Sequence, residues 1–223
     1  MCFSHLHEEL NTPRKVIKTS QRKDFQQSRL KKYVKNPVYE PREDSFLLEK
    51  AVQQYAFGLV LDLGTGSGIQ AIAAAKSPRV EKVIAADISP QALEVAKENA
   101  ANQGVENKIT FLESDLFSAI ANEKFDTIVS NPPYLPANEE ERVYDVALES
   151  GESGRDFTER LSQEFEAHLK PNGIMLLLQS TVSNWEKTKA SLEENGFSVE
   201  ITGRKKFFFE QLVVLKAAKK QGL

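Results

Sequence analysis

The stretch LVLDLGTGSG, residues 59–68, decides the fold class of this chain. Its mostly apolar first half indicates a buried parallel strand, and Gly64, Gly66 and Gly68 then form a turn before the helical pattern IQAIAAAK. Glycines there let a ligand approach backbone N–H groups at a helix start. Ile69 stands where a GxGxxG turn would have its last glycine, which argues against a nicotinamide or flavin pyrophosphate. A close-packed turn without a ligand is the alternative.

Outward from this stretch, strand and helix patterns alternate. Further strands are predicted in KVIAADI (82–88), KITFLESDLF (108–117), FDTIVSNPPY (125–134) and IMLLLQS (174–180), with helices over 91–104, 155–169 and 184–195. Such alternation is typical of a doubly wound sheet. The closing strands FSVEITGRKKFFF (197–209) and QLVVLKA (211–217) have only a tight connection and should be antiparallel. We therefore predict an α/β, Rossmann-like, seven-stranded, mostly parallel sheet with an antiparallel C-terminal hairpin.

A further helix is predicted before the first strand, in the pattern that bears Phe46, Leu47 and Leu48. Asp44 or Ser45 would be its N-cap. An alternative interpretation is that the segment closes over a ligand, with Ser45 and the loop of Tyr39, Glu40 and Pro41 as its lid. The residues alone leave both interpretations open. A shorter amphipathic helix is expected around residues 30–34.

The fourth predicted strand runs directly into Asn131-Pro132-Pro133-Tyr134. Two prolines remove two backbone donors and disfavour helical geometry before them, so the strand ends in a stiff extended corner. The Asn131 side-chain carbonyl and the main-chain carbonyls beside the prolines are then free to accept, and Tyr134 adds a flat aromatic face. This set suits a planar NH2 group, as in an amide or an exocyclic amine. A rigid loop without chemistry is the alternative.

Three aspartates lie at or near predicted strand ends. Asp87 ends the second strand, where a carboxylate can accept from both hydroxyls of a ribose, and Ile88 follows it. Asp115 is expected to end the third strand and to accept from an adenine amino group, or else to cap the next turn. Asp62 lies inside the first strand, where a buried carboxylate needs a donor or a ligand cation. Together they outline S-adenosylmethionine, an adenosine with a nearby positive charge and no phosphate.

At these residues the chain resembles class I methyltransferases, and more narrowly the HemK/PrmC-like glutamine methyltransferases of translation release factors. The general resemblance covers residues 38–217. The narrow one rests on VYEPREDSFLL (38–48), LDLGTGSG (61–68), the two aspartate strand ends and NPPY. The form of the first motif is similar to the archaeal and eukaryotic branch. The segment ALESGESGRDF (147–157) resembles the family's glycine-bearing segment after NPPY, with Glu149-Ser150 where small residues are common.

The resemblance implies N-methylation of a glutamine side-chain amide in the Gly-Gly-Gln loop of a release factor, with S-adenosyl-L-homocysteine as the second product. The expected catalytic residues are Asn131, Pro132, Pro133 and Tyr134. The expected cofactor contacts are Tyr39, Glu40, Pro41, Ser45, Asp62, Gly64, Thr65, Gly66, Gly68, Asp87, Ile88, Asp115, Leu116 and Asn131. The eukaryotic relatives work with a small zinc-binding activator subunit, which is a possible partner here.

Three rival functions stay open. Adenine N6 in RNA or DNA also presents a planar NH2 group to NPPY-type sites. A catalytically silent partner protein could hold S-adenosylmethionine only for stability. A nicotinamide oxidoreductase is disfavoured by Ile69.

Composition and charge limit the remaining choices. Residues 1–37 carry nine Lys or Arg against three acidic residues, a balance of +6, so the rest of this chain of net charge −3 carries −9. We expect a partly flexible basic extension over 1–37 and a methyltransferase domain over 38–223. The acidic body disfavours duplex DNA, whereas the basic extension keeps RNA open.

Other sequence features favour a cytoplasmic protein without a membrane span or a metal site. No stretch has the roughly 18 continuous apolar residues of a membrane helix. Cys2 is the single cysteine, and Cys2, His5 and His7 at the terminus are interpreted as incidental rather than as metal ligands.

Near the other end of the chain, residues 204–209 (RKKFFF) mix basic and aromatic residues as nucleic-acid sites do. We interpret the phenylalanines as packed onto the sheet.

Overall fold

The computed structural model of the protein describes residues 38–120, 122–136 and 150–220. Contacts divide the chain into units of residues 1–33 and 34–223, and the described residues belong to the second. Its helices are α1 (Glu43–Tyr55), α2 (Ile69–Ala75), α3 (Pro90–Asn102), α4 (Asp156–Glu164) and α5 (Trp185–Glu194). Its strands are β1 (Gly58–Leu63), β2 (Val80–Asp87), β3 (Ile109–Glu113), β4 (Phe125–Ser130), β5 (Leu169–Ser180), β6 (Phe197–Lys206) and β7 (Gln211–Lys219). The predicted basic extension and its short helix lie outside these ranges.

The seven strands form one sheet in the order β3-β2-β1-β4-β5-β7-β6. Strands β1 to β5 pair in parallel, and β7 is antiparallel to both β5 and β6. The predicted fold class is therefore confirmed. The chain order changes direction between β1 and β4, and ligands of doubly wound sheets bind outside the carboxyl ends of the strands at such a point. The glycine turn follows β1, and Asn131 follows β4, so both lie there.

The sheet is covered on both faces, which explains its apolar strands. One face packs with Leu61, Ile128 and Phe165, and the other with Leu48 and Val60, each exposed by 1% or less. The second face is covered in part by α1 and the alanine-rich α2. This burial on both sides fixes the strand ends at which the functional groups lie.

Helix starts show where the sequence interpretation was right and where it was wrong. Ser89 caps α3, which begins one residue before the predicted helix, because its Oγ accepts from Ala92 N at 3.3 Å and Pro90 occupies the first turn. The N-cap of α1 is Arg42 rather than Asp44 or Ser45. Both of those residues lie within the first turn and are buried. Their side chains instead contact the side-chain amide of Asn131.

Two strand predictions also need correction. Strand β3 ends at Glu113 instead of continuing to residue 117, because Ser114 Oγ donates to Leu116 O and accepts from Ala119 N, which closes a local turn. Strand β5 begins at Leu169 rather than at the predicted Ile174, and it includes the segment Pro171-Asn172-Gly173. Its register against β4 is irregular near Phe125, which accommodates that segment as a bulge.

The tip of the β6–β7 hairpin contradicts the sequence interpretation most clearly. Phe207, Phe208 and Phe209 were expected to pack onto the sheet, but their exposed fractions are 38%, 91% and 90%. The two strands extend past the covered part of the sheet, so the tip is left in solvent.

Within the ranges given above, no helix is both long enough and apolar enough to cross a bilayer. In the same ranges, no group of three or more His, Cys, Asp and Glu side chains is arranged to hold a metal ion. Cys2, His5 and His7 lie outside them.

Candidate active site

The side-chain amide of Asn131 is oriented by a buried carboxylate. Its Nδ2 donates to Asp44 Oδ2 at 3.0 Å and to Ser45 Oγ at 3.4 Å. An ionised carboxylate only accepts, so the amide nitrogen has to face Asp44. The amide oxygen then points the other way, and Asn131 Oδ1 is buried without a hydrogen-bond partner among the described residues. A buried acceptor left unpaired is costly, which marks this atom as a place for a ligand donor.

Asp44 connects the first turn of α1 to the end of β4. It is 3% exposed and accepts from the Tyr39 hydroxyl at 3.0 Å and from Ser45 Oγ at 3.3 Å, besides Asn131. Gln70 Nε2 in turn donates to Ser45 O at 2.9 Å, which ties α1 to α2. Tyr39 and Ser45, expected at a ligand lid, therefore lie beside the Asn131 amide.

The proline corner after β4 has trans peptide bonds, as have all the described residues. Pro132 is buried, and none of the residues in the described ranges donates to its main-chain oxygen. Tyr134 is partly buried, and burial is the largest cause that raises the pKa of its hydroxyl, followed by the carboxylates of Asp44 and Glu210. The same causes raise the pKa of Tyr39. Both phenols are thus neutral at ordinary pH.

The segment that follows the undescribed loop supports this corner from behind. Ser150 N donates to Leu135 O at 3.0 Å, and Ser150 Oγ accepts from Phe157 N at 2.8 Å. Gly154 has φ +69°, and a Cβ there would lie 2.4 Å from the main-chain oxygen of Tyr134. Ser150, at the position where small residues are common in the family, thus links the proline corner to the start of α4. Gly154 is required because the main chain of Tyr134 lies too close for any side chain.

The glycine turn after β1 leaves free space where a ligand would lie. Gly66 has φ +53°, and a Cβ added to it would meet nothing within 4 Å. Gly68 is different, since its added Cβ would come within 3.0 Å of Ala96 Cβ on α3. Gly64 has open space up to Phe157 at 4.0 Å. Two of the three glycines therefore border open space, and the third allows helix packing.

The two carboxylate oxygens of Asp62 differ in their hydrogen bonding. Its Oδ2 accepts from Thr65 Oγ1 at 2.6 Å and from Ala71 N at 3.0 Å. Its Oδ1 is buried and has no partner in the described part of the chain. Burial raises the pKa of Asp62 to about 7, against the lowering effect of the two hydrogen bonds and with a further rise from Asp87. A cationic donor at Oδ1 would remove this cost.

Asp87 stands at the end of β2 with one donor on each oxygen. Oδ2 accepts from Gly66 N and Oδ1 from Ser89 N, both at 2.9 Å. Each carboxylate oxygen has capacity for a second hydrogen bond. Burial raises the pKa of this carboxyl, and the backbone donors oppose the rise. Ile88 beside it is 62% exposed and presents an apolar surface to the same rim.

Asp115 and Leu116 depart from the predicted arrangement. Asp115 lies two residues past the end of β3, and its exposed Oδ1 pairs with Arg160 Nη1 at 3.0 Å. The carboxylate is therefore already engaged with a cation. Leu116 is buried and has φ +49°, which is strained for a residue with a side chain. Glu40 and Pro41 make no hydrogen bond to the Asn131 or Asp62 groups within the described ranges, and Glu40 is exposed.

Comparison with known protein families identifies the family of this chain. The model described as "Methyltransferase small domain" matches residues 43–208, which include the glycine turn, the three aspartates and the proline corner. The chain belongs to the methyltransferase small domain family. Its seven-stranded sheet is thus that of a methyltransferase.

Individual relatives of this methyltransferase are named for one reaction. It is 41% identical over 183 residues to a Methanocaldococcus jannaschii protein with the provisional name protein N5-glutamine methyltransferase, covering 81% of this chain and 91% of that one. It is 39% identical over 165 residues to the release factor glutamine methyltransferase of Koribacter versatilis, covering 66% of this chain. The match covers 58% of that bacterial relative, so the chain spans little more than half of its length.

Solved structures agree on the fold. A chain of the E. cuniculi Mtq2–Trm112 complex, described as responsible for methylation of the eRF1 translation termination factor, superposes with a TM-score of 0.65. It is 26% identical, and the match covers 83% of this methyltransferase and all of that chain. The ribosomal protein L11 methylase of Lactobacillus delbrueckii subsp. bulgaricus has a TM-score of 0.61 at 24% identity, with 84% of each chain covered. That second likeness concerns the fold alone.

Sequence reasoning missed two residues of the candidate site. Asp44 was considered only as a cap or part of a lid. An acidic residue at the start of an apolar helix pattern was the available signal, because a carboxylate that such a helix buries needs hydrogen-bond donors. Gln70 was not singled out, and it is 3% exposed with an unpartnered Oε1 in the described structure. Its place in an alanine-rich helix next to the glycine turn was the available signal.

Proposed function

We propose that this methyltransferase transfers a methyl group from S-adenosylmethionine to the side-chain amide nitrogen of a glutamine in a translation release factor. The observation that carries the proposal is the buried Oδ1 of Asn131, which has no hydrogen-bond partner among the described residues and which Asp44 turns away from itself. A planar NH2 group supplies the donor that this acceptor lacks.

The residues present fit S-adenosylmethionine. Asp62 Oδ1, which has no partner in the described part of the chain, suits the ligand's ammonium group, and the remaining acceptor capacity of Asp87 suits its ribose hydroxyls. The open space at Gly66 lets the ligand approach the backbone closely. Ile88 offers an apolar contact to the adenine. When bound, S-adenosylmethionine supplies an electrophilic methyl group and departs as S-adenosylhomocysteine.

The chain's own residues would solve the problem of the nucleophile, because an amide nitrogen is weakly nucleophilic. Asn131 Oδ1 and the main-chain oxygen of Pro132 would each accept one N–H of the glutamine amide, which fixes its orientation. The same two oxygens would stabilise the positive charge that grows on nitrogen. The ring of Tyr134 would cover the amide plane. Orientation of this kind can supply roughly 7–11 kcal/mol.

The protonation states of the cluster suit a reaction without a strong base. Burial raises the pKa of the Tyr134 and Tyr39 hydroxyls, so neither is a phenolate at neutral pH. Asp44 is occupied by three donors from Tyr39, Ser45 and Asn131. An N-methylated amide cation is acidic enough to lose its proton to water. The residues would therefore act by holding and orienting rather than by taking the proton.

The names of the relatives support the choice of acceptor. The Methanocaldococcus jannaschii and Koribacter versatilis proteins are both named for glutamine, and the E. cuniculi complex is described with eRF1. The latter structure is of a two-protein complex, so a small activator subunit is part of the proposal. Adenine N6 also carries a planar NH2 group, and it is the rival acceptor that an experiment has to exclude.

The test is to incubate the protein with labelled S-adenosylmethionine and, in separate reactions, a release factor with a Gly-Gly-Gln loop, RNA and DNA. Each reaction is run with and without a Trm112-like partner, and mass spectrometry locates the label. A release factor with that glutamine changed to asparagine is the control. We expect label on the glutamine and none on the control protein. Label on adenine, or a cofactor-bound protein that methylates none of these substrates, would refute the proposal.

A further inference from the structure

The tip of the β6–β7 hairpin carries the two most exposed large hydrophobic side chains of the described structure. Phe208 and Phe209 are 91% and 90% exposed and contact each other edge to face, with ring centroids 4.5 Å apart. Phe207 is 38% exposed, and Lys205 Nζ lies 5.6 Å from its ring centroid. Grouped exposed apolar side chains on a soluble protein mark interaction surfaces more often than scattered ones do.

The hairpin that carries this tip is fixed in place. The main-chain N–H of Phe207 donates to Glu210 O at 2.7 Å, which closes the turn. Gln211 N donates to Thr181 Oγ1 at 2.9 Å, and Thr181 N donates to Gln211 O at 3.0 Å. A rigid support lowers the entropy that an exposed aromatic loses on binding.

Two contacts tie the tip to the candidate active site. Lys205 forms an ion pair with Glu43, the residue next to Asp44 in the first turn of α1. On the other side, Ser180 Oγ at the carboxyl end of β5 donates to Glu210 Oε1 at 2.6 Å. The Glu210 carboxylate also lies near enough to Tyr134 and Tyr39 to raise the pKa of both hydroxyls, after burial and Asp44. The tip thus adjoins the pocket that would receive the acceptor.

The chemistry of the tip favours protein over nucleic acid. The edge-to-face pair of Phe208 and Phe209 has an interplanar angle of 83°, so it does not offer successive parallel faces for base stacking. Lys205 is already paired with Glu43, and Glu210 adds a negative charge. Arg204 and Lys206 in the same stretch are exposed, and Arg204 also lies over the Trp185 ring, 5.6 Å from its centroid. An apolar contact beside two cations suits an apolar and acidic protein surface.

We infer that the Phe208–Phe209 tip is a docking surface for the protein substrate, contacting apolar residues of the release factor outside its acceptor loop. The inference rests on the proposed function, because a glutamine side chain in the pocket brings the rest of its protein to the pocket's edge. Aromatic side chains commonly dominate the energy of such contacts.

The test compares Phe208→Ser/Phe209→Ser with the conservative control Phe208→Leu/Phe209→Leu in the full chain, with the Trm112-like partner where activity requires it. The substrates are the intact release factor and a short peptide of its Gly-Gly-Gln loop. Because both side chains are exposed, neither double variant should lose its fold, which a melting curve checks. We expect the serine variant to raise KM for the release factor about tenfold, with kcat, peptide kinetics and S-adenosylhomocysteine affinity unchanged. The leucine control should stay near wild type.

Different failures are distinguishable. An unchanged KM for the release factor in the serine variant overturns the docking surface and leaves the proposed function intact. An equal loss on the peptide also overturns it, because the effect would then lie in the acceptor pocket. Weaker binding of single-stranded RNA with an unchanged KM for the release factor assigns the tip to nucleic acid instead. A wild-type protein that does not methylate the release factor removes the proposed function and the docking inference together.

Discussion

At the scale of single residues, one buried carboxylate decides which atom of Asn131 faces the acceptor. Asp44 can only accept, so it holds the amide nitrogen and leaves Oδ1 for the substrate. Asp44→Asn replaces the carboxylate by an amide, which can donate as well as accept. The Asn131 amide could then turn over and direct its nitrogen toward the acceptor. We expect kcat to fall by about ten- to a hundredfold, with the affinity for S-adenosylmethionine little changed.

Steady-state kinetics with a cofactor titration check this prediction. The matched control is Ser45→Ala, which removes the longer 3.4 Å contact to the same nitrogen and the 3.3 Å hydrogen bond to Asp44 but keeps the carboxylate, so it should reduce kcat less. Wild-type kcat in Asp44→Asn would show that Asp44 has no part in orienting the amide.

Asp62 gives a prediction about pH. Its pKa of about 7 in the folded chain exceeds the ordinary value of 3.8, so the folded state binds a proton more readily than the unfolded state between these values. The free energy of unfolding without ligand should therefore fall as pH rises from about 4 to 7. Asp62→Asn removes this loss, and we expect it to melt at a higher temperature than wild type at pH 8 and to differ less at pH 5.

The same group should make cofactor binding depend on pH in the opposite direction. The ligand's ammonium group pairs with the ionised form, so the affinity for S-adenosylmethionine should rise with pH below 7, by up to about tenfold per pH unit. Asp62→Asn should bind more weakly and without this slope. Calorimetric titrations between pH 5.5 and 7.5 measure both. A wild-type affinity that is flat over this range would place the ligand cation elsewhere.

The predicted residues differ in how far sequence could define them. Asn131, Asp62 and Asp87 could be found because each stands at a fixed place relative to a strand or a glycine turn. The role of Asp44 could not, since it depends on a contact across 87 positions of the chain. Asp115 was placed at a strand end that Ser114 abolishes by bonding its own neighbours.

At the scale of elements, the segment before α4 shapes the proline corner through one glycine. Gly154→Ala would add a Cβ 2.4 Å from the Tyr134 oxygen, at φ +69°. We expect the corner to shift and activity to fall by about a hundredfold. Gly104→Ala is the control, because Gly104 has a similar φ of +67° but nothing within 4 Å of the added atom. Both variants bear the strain of an alanine at positive φ, about 1–2 kcal/mol, but only Gly154→Ala also clashes with the Tyr134 oxygen. Activity assays and melting curves of both variants separate the two effects. Equal activity in the two would contradict this role for Gly154.

Sequence periodicity predicts elements well where both faces of a strand are buried and poorly where a strand leaves the core. Strands β1 and β4 were found because continuous apolar runs meet a glycine turn and a proline pair. The β6–β7 tip was misjudged because a run of aromatic residues looks the same in the sequence whether or not another layer covers it. In the structure the phenylalanines lie beyond that layer.

At the scale of the whole molecule, a ligand at the switch point of the sheet should stabilise the entire unit. Binding at a hundred times Kd adds about 2.7 kcal/mol to the free energy of unfolding, which corresponds to a rise in melting temperature of roughly 5–10 °C for a domain of this size. We expect S-adenosylmethionine and S-adenosylhomocysteine to raise the melting temperature and NADH to have no effect. Thermal shift assays measure this, and protection by NADH alone would favour the nicotinamide oxidoreductase.

The central claim is that Asn131 Oδ1 accepts from the reacting NH2 group. The most direct measurement is the single-turnover rate of methyl transfer in Asn131→Ala, at saturating S-adenosylmethionine and acceptor, together with the dissociation constant of the cofactor. Losing one such acceptor typically costs about 3–4 kcal/mol, so we predict a rate at least about a hundredfold lower with a dissociation constant close to wild type. A rate within a few-fold of wild type would contradict the account.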